Sequence, residues 1–152
     1  MKTTAHNALN LLMQDHKMVK TMFKEFQGLS DKSKSTKKRL ADKICHELTV
    51  HTTIEEEIFY PAVSKAIKDK AMMDEALVEH ASAKQLISQI VQMDASEDFF
   101  DAKVLVLSEQ IEHHVKEEEG EMFPKVRKTK LDLHALGMQM AERKQELELV
   151  DT

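Results

Sequence analysis

Two stretches of this 152-residue chain share the pattern His-x3-Glu-Glu, with a proline ten positions after the histidine. One stretch spans residues 51–61 and the other spans residues 114–124. In an α-helix, residues four positions apart lie on one face, about 6 Å apart along the axis. Each stretch can therefore present an imidazole nitrogen and a carboxylate oxygen to the same metal ion. The predicted ligand pairs are His51 with Glu55 and His114 with Glu118.

A weaker pattern precedes each stretch and consists of an acidic residue, a histidine and, four positions later, a lysine. Its members are Asp15, His16 and Lys20 in the first copy and Glu79, His80 and Lys84 in the second. His16 lies 35 residues before His51, and His80 lies 34 residues before His114. The chain is therefore predicted to contain two related helical hairpins, whose packing would bring the four histidines to a similar depth.

This donor set predicts a centre with two metal ions. A carboxylate has two oxygens, so Glu55 and Glu118 can each bridge both metals, while His16 and His80 add one nitrogen to each metal. Imidazoles with bridging carboxylates and open positions suit iron or manganese better than structural zinc, which prefers closed tetrahedral sites. All six residues continue apolar stripes, and a buried carboxylate without a partner would cost several kcal/mol.

The elements that must position these residues are helices, because apolar residues recur at helical spacing nearly throughout the chain. The composition agrees, with only 3 glycines and 2 prolines available for turns. The predicted segments span about residues 4–27, 36–60, 70–93, 97–122 and 131–149. We therefore expect an all-α fold in one domain over residues 1–152. An up-down-up-down four-helix bundle over about residues 4–128 would carry an extra C-terminal helix.

Several local features define the expected helix ends and faces. Pro61 and Pro124 should break or kink the second and fourth segments, because proline lacks the N–H and clashes with the preceding turn. A short helical continuation is expected after Pro61. Ser96 and Asp132 are candidate N-caps of the last two segments. The predicted apolar stripe of the third segment contains Met73, Leu77, Ile87 and Val91.

The charge and composition argue against several classes of partner. The formal net charge is -5, and the densest basic run, residues 32–39, is predicted to be a solvated loop, so nucleic-acid binding is not expected. No apolar run reaches transmembrane length, and Met1–Asn10 lacks the apolar region of a signal peptide. With a single cysteine, Cys45, an intrachain disulfide is excluded. A cytoplasmic protein without a membrane partner is expected.

The paired His-x3-Glu-Glu motifs, each followed by a proline, resemble the hemerythrin-like (HHE cation-binding) family over about residues 4–128. The resemblance implies a four-helix bundle with a non-haem di-iron centre, oxo- or hydroxo-bridged, that handles O2, NO or peroxide. By this resemblance His16 and His51 serve one iron and His80 and His114 serve the other. Glu55 and Glu118 would bridge the two irons.

One position departs from the oxygen-carrying hemerythrins, which have a further histidine where this chain has Lys84. The sequence is in this respect similar to HHE domains of bacterial iron-centre repair and nitrosative-stress proteins, although their N-terminal cysteine-bearing segment is missing. The expected function is binding or sensing of O2, NO or peroxide. The alternatives are a di-iron enzyme that removes peroxide or NO with an electron donor, an iron donor or storage protein, and a metal-free helical interaction module.

Other chemically capable residues have simpler interpretations. His113 with Glu117 is a rival pair for His114, but its helix face is predicted to be solvated. His46 and His51 are five positions apart, so they do not form a zinc-protease motif. Tyr60 and Cys45 are expected to pack in the core, and His6 and His134 to lie on the surface. Lys20 and Lys84 are expected at the solvated bundle end, or alternatively along an access route. The remaining acidic residues, expected to be solvated or to contact ligand histidines, are Glu56, Glu57, Glu117 and Glu119.

Overall fold

A computed structural model of the chain describes residues 7–150 and confirms the predicted all-α fold. Four long helices form the bundle, and a C-terminal helix packs against the first two of them. In chain order the helices are α1 (Ala8–Gln27), α2 (Lys34–Ile54), α3 (Tyr60–Ile67), α4 (Lys70–Val91), α5 (Phe100–Glu117), α6 (Phe123–Arg127) and α7 (Leu133–Val150). Two π-helical turns, π1 (Glu55–Phe59) and π2 (Glu118–Met122), join α2 to α3 and α5 to α6.

The hydrophobic core is divided into two clusters of buried side chains. One cluster includes Leu12 and Phe123 and lies towards the π-turn end of the bundle, where α7 contributes Met140. The other includes Phe26 and Phe100 and lies towards the α4–α5 connection. On α1 and α4, the candidate histidine lies between residues of the two clusters. The site is therefore held within the bundle by apolar packing on both sides.

The inner face of α4 differs from the predicted stripe. Leu77 is 45% exposed and Val91 is 44% exposed, so their assignment to the core was wrong. The buried residues of α4 are Met73, Ala76, His80, Ala83, Ile87 and Ile90. Their alternating spacing of three and four residues is that of a coiled-coil seam. Alanines at two of these positions carry little hydrophobic signal, which explains why the sequence pattern placed the stripe slightly off the true face.

The predicted helix starts were right for the last helix and wrong for α5. The side chain of Asp132 accepts a hydrogen bond from the Ala135 N–H at 3.0 Å, as expected of an N-cap. Ser96 does not cap α5, which begins at Phe100 after a residue in the left-handed region, Phe99, with φ 73°. The predicted start of the first helix at residue 4 lies outside the described residues.

The π turns explain how the chain accommodates its two prolines. The N–H of Tyr60 bonds to the carbonyl of Glu55, and the N–H of Phe123 bonds to the carbonyl of Glu118, each across five residues. Pro61 then falls in the first turn of α3, where a missing N–H is tolerated. Helical structure thus continues after both prolines.

None of the helices within residues 7–150 has both the length and the apolar character of a membrane span. The cytoplasmic location stays a prediction.

Candidate metal centre

The structure brings the six predicted ligand residues together in the middle of the bundle. None of the six is more than 8% exposed. His16 comes from α1, His51 from α2, His80 from α4 and His114 from α5, while the two glutamates begin the two π turns. The π distortion begins only at each glutamate, so the i, i+4 relation to the preceding histidine is preserved. Their assignment as metal ligands stays a prediction.

Each glutamate carboxylate lies between histidines of the two hairpins. Glu55 places Oε2 3.3 Å from the Nε2 of His51 and Oε1 3.0 Å from the Nε2 of His80. Glu118 places Oε1 3.1 Å from the Nε2 of His16 and Oε2 3.2 Å from the Nε2 of His114. These contacts define two neighbouring positions for a metal ion. The first position lies among His16, His51 and one oxygen of each glutamate, and the second lies among His80, His114 and the other two oxygens.

The atoms around the first position fit a metal ion. The four buried ligand atoms, each without a hydrogen-bond partner among the described residues, are His16 Nε2, His51 Nε2, Glu55 Oε2 and Glu118 Oε1. One ligand atom from each of these residues lies within 4.8 Å of the others. Buried polar atoms are almost always hydrogen-bonded, because leaving one unsatisfied costs about 1–3 kcal/mol. A coordinated cation would satisfy all four atoms at once.

The second position is lined by a residue that the sequence reasoning assigned only to packing, Tyr60. Its hydroxyl donates to Oε2 of Glu118 at 2.5 Å and lies 3.3 Å from Oε1 of Glu55. The same oxygen lies 3.2 Å from the Nε2 of His80 and 3.3 Å from the Nε2 of His114. The packing assignment was therefore incomplete: the ring is buried, but the hydroxyl enters the centre.

The equivalent position in the other half of the repeat is Phe123, whose ring stacks on His16 with a centroid distance of 6.2 Å and an interplanar angle of 12°. Phenylalanine has no hydroxyl to place at the first position. The two positions therefore share equivalent imidazoles and carboxylate oxygens but differ by one phenol oxygen. The available sequence signal was a tyrosine five residues after a candidate ligand glutamate. In a regular α-helix, the side chain of that tyrosine would point away from the site.

The outer nitrogen of every ligand histidine contacts a carboxylate. The Nδ1 contacts are His16 to Glu119 at 2.6 Å, His51 to Asp15 at 2.9 Å, His80 to Glu56 at 2.7 Å and His114 to Glu79 at 2.6 Å. This arrangement is typical of metal-binding histidines, since the carboxylate accepts the Nδ1–H and leaves Nε2 free to coordinate. Glu56 and Glu119 were expected either to be solvated or to be such partners. Asp15 and Glu79 were missed, because each directly precedes one candidate histidine in the sequence but contacts a different one.

The charges in the centre are strongly coupled. Burial alone would lower the pKa of His51, but the charge of Glu55 and the hydrogen bond with Asp15 raise that pKa well above its usual value. Burial also opposes the charged form of His114, yet the adjacent Glu118 and Glu55 raise its pKa to about 10. The pKa of Glu118 lies well below its usual range, because the neighbouring imidazoles outweigh its burial.

The other candidates lie outside the ligand set. The side chain of His113 is 67% exposed and contacts Glu117, so the choice of His114 as the inward-facing residue is confirmed. Lys84 pairs with Glu56 at 2.7 Å on the surface, and His46 contacts Glu148 on α7 at 2.6 Å. Cys45 is buried as expected, and burial raises the pKa of its thiol to about 12. His134 is exposed as expected, and His6 lies outside the described residues.

Two neighbouring spaces adjoin the centre. A groove of about 820 Å³ between α1 and α5 has His16 and Lys20 among its lining residues. An inner cavity of about 20 Å³ is lined by all four ligand histidines, and it shares His16, Ile111 and Val115 with the groove. A cavity of this size accommodates about one water-sized molecule. The groove therefore reaches the edge of the inner cavity at His16, between α1 and α5.

Comparison with known proteins places these features in a family. A DNA nickase of Nostoc sp. is 29% identical over 121 residues, which make up 80% of this chain but only 34% of that protein. Protein Rv2633c of Mycobacterium tuberculosis is 26% identical over 93% of this chain and 87% of its own length.

A solved structure extends the similarity to the fold. The crystal structure of an Rv2633c homologue from Mycobacterium kansasii, a hemerythrin HHE cation binding domain-containing protein, superimposes with a TM-score of 0.78. Its sequence is 27% identical, and the match covers 93% of this chain and 86% of that one. The family model for the hemerythrin HHE cation binding domain matches residues 7–126, which include all six candidate ligands. The chain belongs to the hemerythrin HHE cation-binding family.

Proposed function

We propose that this protein holds two iron ions and binds or senses a small oxidant or gas, namely O2, NO or peroxide. The observation that carries the proposal is the pair of carboxylates, Glu55 and Glu118, each of which faces one histidine at the first position and one at the second. Such carboxylates hold two cations close together. The donor set of four imidazoles and two carboxylates favours iron or manganese among the common metals.

When bound, a pair of irons supplies two-electron exchange with a small ligand. The protein positions the imidazole rings and limits the size of the molecule that can enter. Carboxylate contacts at each Nδ1 fix the four imidazole rings, which leaves the Nε2 atoms directed at the metal positions. The inner cavity of about 20 Å³ limits the ligand to roughly the size of a diatomic gas or peroxide. The apolar side chains of Ile111 and Val115 form part of the wall of this cavity.

Peroxide removal is the second candidate, and Tyr60 is the observation that favours it. Its hydroxyl lies at the second position, where a buried phenol can deliver a proton to a ligand oxygen. In the metal-free protein, burial and the charges of Glu55 and Glu118 raise the pKa of this phenol well above its usual value. Conversion of two peroxide molecules into O2 and two waters needs no further reactant, whereas NO reduction would need an electron donor.

The iron donor or storage alternative is less well supported by the geometry. Ligands that are at most 8% exposed and individually braced by carboxylates favour a resident metal over one that is handed on. The rate of iron transfer to an apo iron–sulfur protein, compared with the rate of spontaneous iron release, measures this directly.

The test is anaerobic loading with Fe(II), followed by iron quantification and optical spectra before and after exposure to O2, NO or peroxide. The native chain should bind about two irons and change its spectrum with at least one ligand. His114→Gln should lose iron from the second position. His134→Gln removes an exposed histidine on α7 and should keep both irons, which makes it the matched control. Less than one iron per chain in the native protein would refute the proposal.

A further inference from the structure

We propose that Lys84 and Lys144 favour the ferrous form of the metal centre, each by holding a carboxylate that contacts a candidate ligand histidine. This inference rests on the proposed function, since it names residues that tune the iron pair. Lys84 lies on α4 and Lys144 lies on α7. The partner of each lysine is a carboxylate outside the ligand set, so both lysines are positioning residues that act through that carboxylate.

At the second position, the contacts run from Lys84 through Glu56 to a histidine. The Nζ of Lys84 donates to Oε1 of Glu56 at 2.7 Å, and Oε2 of Glu56 lies 2.7 Å from the Nδ1 of His80. The carboxylate therefore lies between an ammonium group and an imidazole, with one oxygen for each. The side chain of Lys84 is 48% exposed and that of Glu56 is 27% exposed, so solvent screens this ion pair in part.

At the first position, the equivalent contacts run through Asp15. The Nζ of Lys144 donates to Oδ1 of Asp15 at 2.6 Å, and Oδ2 of Asp15 lies 2.9 Å from the Nδ1 of His51. The side chain of Asp15 is 6% exposed and that of Lys144 is 29% exposed, so this ion pair is the more buried of the two. Because buried charges are screened less by solvent, we expect Lys144 to have the larger effect.

The internal repeat alone does not produce these two arrangements. Lys20 is the counterpart of Lys84 in the first hairpin, and Glu119 is the counterpart of Glu56. Glu119 contacts the Nδ1 of His16, yet in the described part of the chain Lys20 forms no ion pair with it. The first position receives its ammonium group from α7 instead, which lies outside the repeat. Each position thus has one lysine-backed histidine, but the two lysines come from unrelated parts of the sequence.

The effect of each lysine follows from how a carboxylate acts on a metal-binding imidazole. A carboxylate that accepts the Nδ1–H makes the ring a stronger electron donor through Nε2. This stabilises ferric iron more than ferrous iron, because ferric iron carries one more positive charge. An ammonium group on the other carboxylate oxygen weakens the acceptor and adds a positive charge nearby. Both changes favour ferrous iron, which has electrons to share with O2, NO or peroxide.

The test is the reduction potential of the iron-loaded, full-length protein, measured by anaerobic redox titration. Lys84→Gln and Lys144→Gln each remove the charge and keep a polar side chain. Each should raise the ratio of ferric to ferrous affinity about three- to tenfold, as expected for one partly screened unit charge. At about 59 mV per tenfold for a one-electron step, the potential should fall by about 30–60 mV. The shifts should add in the double variant, because the two lysines share no partner.

Two sets of variants separate this effect from a structural role or from net charge. Lys84→Arg and Lys144→Arg keep the charge and a donor, so their potentials should lie close to the native value. Lys20→Gln is the matched control, because it removes the same charge from the aligned position without breaking an ion pair. It should change the affinity ratio by less than about twofold, since an exposed charge is largely screened.

The outcomes distinguish this inference from the proposed function. If Lys84→Gln and Lys144→Gln both keep the native potential, the lysines do not tune the centre, and the inference is overturned while the metal centre stands. An equal shift in Lys20→Gln would also overturn it, because net charge alone would then explain the result. If the native chain takes up no iron, the proposed function fails first, and this inference fails with it.

Discussion

The substitution Tyr60→Phe removes one oxygen from the second position and leaves the ring packing in place. In the metal-free protein, the Tyr60 hydroxyl donates to the buried Glu118 carboxylate at 2.5 Å, the length of a charge-assisted hydrogen bond. Loss of the donor leaves Oε2 of Glu118 with only the His114 imidazole. A buried acceptor that loses its partner costs about 2 kcal/mol, which for a chain of this size lowers the Tm by roughly 4–8 °C.

In the metal-loaded protein, the same substitution should change the visible absorption spectrum. The Tyr60 oxygen lies within 3.3 Å of all four ligand atoms around the second position, so it is placed to join them as a fifth donor. Ferric iron lowers the pKa of a coordinated phenol, as bound cations do for their ligands. The resulting phenolate should give a visible charge-transfer band in the oxidised protein. The chain contains a single tyrosine, so no other residue can produce this band.

Two measurements therefore test the assignment of Tyr60. Thermal unfolding of the metal-free proteins should show the Tyr60→Phe variant melting lower, and the oxidised, iron-loaded variant should lack the visible band at unchanged secondary structure. Resonance Raman excitation within the band should enhance phenolate vibrations in the native protein alone. If the variant keeps the band and its metal-free Tm is within about 1 °C of the native value, the phenol neither binds iron nor satisfies Glu118.

Three further outcomes are expected. Metal added at about 100 times its Kd should stabilise the protein by about 2.7 kcal/mol, or roughly 5–11 °C in Tm, and an unchanged melting curve would contradict a metal bound to the folded state. Asp15→Asn should weaken metal binding about 10–100-fold, measured by chelator competition, because it removes the carboxylate that contacts the Nδ1 of His51. Lys144→Gln, which removes only the lysine paired with Asp15, should have a smaller effect. Cys45, with a thiol pKa raised to about 12 and 1% exposure, should resist thiol reagents at pH 8 until the protein unfolds.

The meeting of the six candidate ligand residues could be predicted from helix geometry together with the internal repeat. An i, i+4 pair lies on one face wherever the helix is regular, and α2 and α5 remain regular up to Glu55 and Glu118. The internal repeat then related the two hairpins and supplied His16 and His80. Because the i, i+4 spacing and the internal repeat agree with each other, they predict the helical fold and the site together.

The role of Tyr60 and the contacts of Asp15 and Glu79 with the histidines could not be predicted by the same rule. In an α-helix, a residue five positions after Glu55 points about 140° away from it. The π turn changes that relation, since its bonds span five residues and bring Tyr60 back towards the glutamate. Asp15 contacts a histidine on another helix, so its role depends on helix packing rather than on local spacing. Distorted helical turns of this kind occur frequently at functional sites.

The two halves of the molecule use equivalent ligands in unequal surroundings. At the first position, a phenylalanine ring stacks on His16, and Lys144 of α7 closes the outer side of Asp15. At the second position, the Tyr60 hydroxyl enters the centre, and Glu79 faces the exposed side chain of His113. A symmetric centre would treat its two metals alike. Because the donor count and the surrounding charges differ between the two positions, we expect the two positions to bind metal with unequal affinity.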